Sequence, residues 1–154
     1  MNEREIVIYV CHNSVPAGTS VSALARQAAN RREEASATAI TAVVREVPCS
    51  GKIDPIYLLK AFEGGVRGVA VITCPLGECH LAEGNMRAQV RVGLLGRLLD
   101  EIGLGHERLL LLHCATGQEG RDVPTLIEQA VAGLSALPEN PLRKTTKALA
   151  REPK

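Results

Sequence analysis

A chain of 154 residues, 45% apolar and 23% charged, has the composition of a soluble globular protein and the length to bury a core without disulfide staples. A formal charge of +1, no Trp and a single Phe at position 62 argue against the basic field and stacking platforms of a nucleic-acid binder. The first apolar run, Ile6–Val10, is far too short for a secretory h-region or a membrane span, so a cytoplasmic protein without a span is expected. Its five cysteines, an odd number, point to reduced thiols or a metal.

In chain order, strand and helix patterns alternate four times. Ile6–Val10 reads as a strand buried on both faces. A loop through Cys11 and Ser14 follows, and Ser20 is placed to cap a helix running to Arg32. The second strand, Ile40–Val47, stops at Pro48-Cys49-Ser50-Gly51. Asp54 then caps a helix with Pro55 at its first position, which Gly64-Gly65 ends. Gly68–Thr73 is the third strand, and Cys74-Pro-Leu-Gly-Glu-Cys79-His80 is the loop after it.

The longest helix is expected from Asn85 to Ile102, with Val90, Leu94, Leu95, Leu98, Leu99 and Ile102 as its buried stripe. Arg108–Leu112 forms the fourth strand, ending at His113-Cys114. A last helix runs from Val123 to Leu137, with Asp122 before it and Pro138 after it. Such alternation implies an α/β fold: one domain, a four-stranded parallel sheet with helices on both faces, flavodoxin-like. Past it, residues 139–154 read as a basic C-terminal tail, with Arg143, Lys144, Lys147, Arg151 and Lys154 set against Glu152.

This layout makes a geometric point about the cysteines. Cys11, Cys49, Cys74 and Cys114 each follow the C-terminal end of a different strand, and Cys79 lies in the third of those loops. In parallel sheets these ends share one edge, where such folds bind ligands. Gathered thiolates suit a [2Fe–2S] or [4Fe–4S] cluster or a structural zinc. Zinc usually draws on two tight Cys knuckles, whereas only Cys74 and Cys79 here share a loop. The helix N-terminus beside that loop favours negative charge, as thiolates require. A Cys-x₅-Arg phosphate clamp is missing, because position 17 is Ala, and there is neither a Gly-x-Gly-x-x-Gly after the first strand nor a Walker loop. His12 and His80 each follow a candidate cysteine and read as hydrogen-bonding neighbours; Glu119 and Asp122 read as helix-capping charges.

The ordered motifs carry a resemblance. Cys11; Pro48-Cys49-Ser50-Gly51-Lys52-Ile53-Asp54-Pro55; Ala61-Phe62-Glu63-x-Gly65-x-x-Gly68-Val69; Cys74-x-x-Gly77-x-Cys79-His80-x-x-x-Gly84-Asn85; and Arg91-x-x-x-Leu95 together resemble the delta subunit of methyl-viologen-reducing (F420-non-reducing) hydrogenase over residues 5 to 135. The resemblance implies a small iron–sulfur protein with a [2Fe–2S] cluster. It also implies electron transfer between a hydrogenase or other reductase and a heterodisulfide-reductase-like flavin and iron–sulfur subunit, in electron-bifurcating complexes of anaerobic metabolism.

Two departures shape what the resemblance implies for individual residues. The family's Cys-x-x-Cys after the first strand is here Cys11-His-Asn-Ser14, which leaves Cys11, Cys49, Cys74 and Cys79 as the implied ligands. Ser14 is then a hydrogen-bond donor to a cluster sulfur or a weak oxygen ligand, with His80 and Asn85 as further neighbours of the cluster. Cys114 stands where the family more often has Ser, as a neighbouring or reserve thiol. Residues 1–138 are thus expected to be an iron–sulfur-binding domain with no catalytic residue and no independent turnover. The complex it serves is expected to be of hydrogenase, heterodisulfide reductase or benzoyl-CoA-reductase type. Two other classes stay open: a cluster-free or zinc-binding docking subunit, and a thiol-dependent enzyme using Cys11 or Cys74.

Overall fold

The computed structural model describes residues 5–33, 40–117 and 119–142. Four strands, β1 (Glu5–Cys11), β2 (Thr41–Val47), β3 (Gly68–Thr73) and β4 (Leu109–His113), alternate with four helices, α1 (Val21–Glu33), α2 (Pro55–Glu63), α3 (Gly84–Glu101) and α4 (Glu119–Ser135). All pairings are parallel and the order is β2-β1-β3-β4, so the chain reverses its direction of travel across the sheet between β1 and β3. The expected four-stranded parallel α/β sheet is thus observed, in the order of the first four strands of the doubly wound 2-1-3-4-5 arrangement. Loops at the carboxyl ends of β1 and β3 flank the reversal, the usual place for a ligand in such sheets.

The pleat sorts the central strands onto two faces. Ile6, Ile8, Val10, Ala70 and Ile72 pack under α1 and α4 with Leu24, Val123, Ile127 and Leu134. Val7, Tyr9, Val69 and Val71 pack under α2 and α3 with Leu58, Phe62, Leu95 and Leu99. Each such aliphatic side chain, fully removed from water, contributes roughly 1.5–3 kcal/mol before entropy is counted. Every residue of β3 is buried, which explains its uninterrupted apolar sequence.

Local chemistry sets the helix ends. Asp54 accepts the Ile56 N–H at 2.9 Å and Pro55 opens α2, as the sequence predicts. Ser20 Oγ accepts the Ala23 N–H at 3.2 Å to start α1. At the amino end of the sheet, buried Arg108 donates to the carbonyls of Leu104, Arg67, Pro138 and Glu139, so backbone oxygens surround its charge. Asn140 Nδ2 donates to the Phe62 and Val66 carbonyls and fixes the segment after α4 to the same end. The basic residues from 143 onward lie outside the described residues.

Two helical expectations are corrected. The stripe assigned to the core of α3 is split: Leu95 and Leu99 are buried with Ala88, whereas Val90, Leu94, Leu98 and Ile102 are exposed. Residues four apart advance by about 40° around a helix, so the row 90-94-98-102 winds along the side away from the sheet. The last helix begins at Glu119 rather than at Val123, and Pro124 lies inside it. Asp122 therefore precedes no helix; its Oδ2 accepts the Ala115 N–H at 2.7 Å and ties the β4–α4 loop to the helix. No helix among the described residues is long and apolar enough to cross a membrane.

Candidate metal centre

Four thiols from three strand-end loops come together at the carboxyl edge. Cys11 ends β1 and is completely buried; Cys49 and Cys74 follow β2 and β3 and are almost as buried; Cys79 is partly exposed. The Cys74 side chain is within hydrogen-bonding reach of both Cys11 and Cys79, and Cys79 is in turn within reach of Cys49. Successive contacts therefore link Cys11, Cys74, Cys79 and Cys49, and Cys49 also feels the charge of Cys11.

The loop between Cys74 and Cys79 is shaped by two residues of positive φ. Gly77 sits at +81°, and the Glu78 N–H bonds the Pro75 carbonyl at 3.1 Å, the closure of a turn that needs glycine at this position. Ala82, at φ +62°, is the one described non-glycine residue in the left-handed region, which costs about 1 kcal/mol or more. Its turn winds the chain back so that the N–H groups of Leu81, Gly84 and Asn85 all bond the Cys79 sulfur. Backbone donors arranged in this way form an anion nest at the start of α3.

Two glycines allow the loops to meet. A Cβ on Gly84 would lie 2.3 Å from Cys49 Sγ and 3.0 Å from Cys79 Sγ, so any side chain there would displace the sulfurs. A Cβ on Gly51 would lie 2.5 Å from the Gly84 carbonyl oxygen. Arg91 fastens the contact: its Nη1 donates to the Gly51 carbonyl at 2.5 Å and to that of Ile53 at 3.1 Å, holding the Cys49 loop against α3. Asn85, fully buried, donates through Nδ2 to the carbonyls of Pro75 (2.6 Å) and Cys74 (3.3 Å) and lies 3.8 Å from Cys74 Sγ.

These surroundings divide the thiols electrostatically. Burial, followed by the neighbouring Cys11 and Cys79, pushes the Cys74 thiol up to about 12 from an ordinary 9.0. Cys49 is also raised, chiefly by burial. Burial works against the Cys79 anion too, but the three N–H donors and the Cys74 thiol outweigh it and bring this thiol below its ordinary value. Of the four, Cys79 is thus the thiol whose anion the surroundings favour, whereas burial favours the protonated form of Cys74 and Cys49. Cys74, buried and protonated at neutral pH, is in the wrong state for a nucleophile.

The polar residues nearby separate into two groups. Ser14 Oγ, Ser50 Oγ and Asn85 Oδ1 are buried with no hydrogen-bond partner in the protein, and all three belong to residues beside the thiols. Buried polar groups without partners are rare; apart from Arg67 Nε at the amino end of the sheet, those among the described residues are these three, which fits a polar group seated on the sulfurs that takes and gives hydrogen bonds. A four-thiol donor set, an anion nest and hydroxyl donors together suit an iron–sulfur cluster. By contrast His12 and His80 are both exposed, and His12 Nδ1 pairs with Glu46. Cys114 lies in the apolar cluster under α1 and α4 with Ile8 and Val123. Glu119's side chain lies outside the described residues.

Some contributors to the site stand in the motifs that carry the family resemblance, yet their local sequence does not show what they touch. Ser50 follows a cysteine, and Gly51 and Gly84 flank candidate ligands, but the contact between them is tertiary. Arg91 stands seven residues past Gly84, on a helix whose sequence is otherwise ordinary.

Comparison with known proteins gives the chain's family. The model of one family, described as methyl-viologen-reducing hydrogenase, delta subunit, matches residues 6–138. The iron-sulfur subunit of the F420-non-reducing hydrogenase of Archaeoglobus profundus is 44% identical over 80 residues, 52% of this chain and 58% of the relative. The vhu iron-sulfur subunit of the corresponding hydrogenase in Methanocaldococcus jannaschii is 34% identical over 103 residues, 67% of this chain and 76% of the relative. One chain of the ferredoxin:CoB-CoM heterodisulfide reductase of Methanosarcina mazei is 38% identical over 80 residues, 52% of this chain but 10% of the much longer relative. With the family match spanning both the sheet and every cysteine-bearing loop, this chain belongs to the methyl-viologen-reducing hydrogenase delta subunit family.

Proposed function

We propose that this chain is an electron-transfer subunit that carries a [2Fe–2S] cluster on Cys11, Cys49, Cys74 and Cys79. It passes electrons between a redox enzyme and a heterodisulfide-reductase-like flavin subunit within a multi-subunit, electron-bifurcating oxidoreductase complex. The observation that carries this reading is the convergence of four thiols from three separate loops onto one edge of the sheet. The similar proteins, iron-sulfur subunits of hydrogenases and a chain of heterodisulfide reductase, support the class of function and of partner. A row of sulfurs in successive contact suits two metal centres with two thiolates each better than one tetrahedral ion.

When bound, such a cluster takes up and returns single electrons. The chain's own groups do the rest. Three backbone N–H groups lower the Cys79 thiol below its ordinary value, so it gives up its proton to an arriving metal more readily than Cys74 or Cys49. Cys74 and Cys49 must lose protons as metal binds. Ser14, Ser50 and Asn85 supply hydrogen bonds whose number and direction tune the potential. The partial exposure of Cys79 leaves one end of the sulfur row near the surface, where a docked neighbour can exchange electrons.

The ligand assignment is tested by Cys49→Ser and Cys74→Ser. Each is expected to lose its iron and visible absorbance while its far-ultraviolet circular dichroism stays that of the parent. Full iron content in both variants would overturn the assignment.

A further inference from the structure

The outer side of α3 carries a row of exposed apolar residues, with exposed Arg87, Arg97 and Glu101 interleaved along it. Met86, Val90, Leu94 and Leu98, followed by Ile102 just past the helix, are all exposed, between 41% and 72%. Their spacing of four makes them one continuous ridge. Gly93 lies on the same side with open space above it, so another helix could approach this ridge closely. Five large side chains in water on one helix exceed the scattered apolar exposure of ordinary surfaces and mark an interaction site. The ridge also joins the metal centre, because the cysteine loop that leads into α3 exposes Leu76 and Leu81.

We propose that this ridge, with Leu76 and Leu81, is the docking surface for a heterodisulfide-reductase-like chain, which lays an apolar helical face along α3. The proposal rests on the electron-transfer reading above and adds where the partner sits. The choice of partner follows from the Methanosarcina mazei relative, in which a stretch similar to 80 residues of this chain makes up 10% of a heterodisulfide reductase chain. There the similar stretch and the rest of the reductase chain are parts of one polypeptide, and the ridge offers the same neighbour a surface here. The ridge begins where the sulfur row reaches the surface, so a partner seated on it lies next to Cys79. A second copy of this chain is the competing occupant, and the test below separates the two.

The test co-expresses the full chain with its source organism's homologue of that heterodisulfide reductase chain and measures complex affinity anaerobically, alongside iron content. The double variant Val90→Asp/Leu94→Asp is expected to weaken the complex by on the order of 100-fold with iron content unchanged. Gln129→Asp, at an exposed position of α4 across the sheet, is expected to leave the affinity unchanged. Parental affinity in the double variant would overturn the proposal, as would an iron-loaded parent chain that forms no complex. So would a homodimer dispersed by the double variant, which would assign the ridge to a second copy. A ridge-dependent complex formed by a chain that binds no iron would uphold the docking surface and overturn the electron-transfer reading instead.

Discussion

The two longest helices are covered very differently. In α4, Val123, Ile127, Ala130, Val131 and Leu134 are all buried against the sheet and α1. In α3, Ala88, Leu95 and Leu99 are buried, but a longer row of apolar residues faces outward. The cysteines follow the same division: Cys114 lies in the cluster that α4 covers, while Cys79 and Cys49 meet at the first turn of α3. The apolar content of α4 is accounted for by the chain's own core. That of α3 is divided among a core, the thiol site at its first turn and a surface, so its sequence answers to more than folding.

The sharpest way to break this contrast is at the thiols. Cys79→Ser is expected to lose essentially all iron, whereas Cys114→Ser should keep it, as read by iron assay and visible absorbance after anaerobic purification. Equal iron loss in the two variants would erase the distinction. Glycines give the next largest difference. Gly84→Ala puts a Cβ 2.3 Å from Cys49 Sγ and should cost more than half of the iron, whereas Gly133→Ala on α4 meets only Leu110 Cδ1 at 3.9 Å. The α4 variant should retain its iron and gain up to about 1 kcal/mol from helix propensity in thermal unfolding.

Stability separates the helices on a smaller scale. Ile127→Ala is expected to cost about 2–5 kcal/mol in urea unfolding of the metal-free chain. Leu94→Ala, exposed on α3, should cost no more than about 0.5 kcal/mol. The smallest effect is a pH dependence of the same metal-free chain. Because folding raises the Cys74 thiol from 9.0 to about 12, its contribution is fully present below pH 9.0 and is lost as pH rises through about 12. Cys79, lowered by folding, contributes in the opposite direction, above its unfolded value, and loses that contribution as pH falls through its folded value. Urea midpoints measured from about pH 8 to about pH 11 should therefore fall less steeply in Cys74→Ser than in the parent. An unchanged slope would mean that burial of this thiol does not resist ionisation.

Much of the architecture is legible in the sequence where local chemistry decides it. Asp54-Pro55 and Gly64-Gly65 mark α2 at both ends, and the apolar run of β3 announces a central strand. The placement of cysteines after strands locates the candidate site, because a parallel sheet brings all such ends to one edge. Periodicity cannot assign the two apolar sides of α3, since a helical row records spacing and not which side the sheet covers. The start of α4 is misplaced in the sequence reading because Asp122 and Pro124 resemble a cap and a first-turn proline, yet the helix begins at Glu119 and carries Pro124 inside it. The contact of Gly84 with the sulfurs, the Arg91 clamp and the partnerless hydroxyl of Ser50 depend on loops distant in sequence, which no local pattern encodes.

The central claim is that the thiol row holds a two-iron cluster. Anaerobic purification of the full chain, followed by iron and acid-labile sulfide assay with electron paramagnetic resonance before and after dithionite, tests it most directly. About two irons and two sulfides per chain, with a signal arising on reduction, is the predicted result. A colourless protein with zinc or no metal, after purification alone and together with its partner, would contradict it.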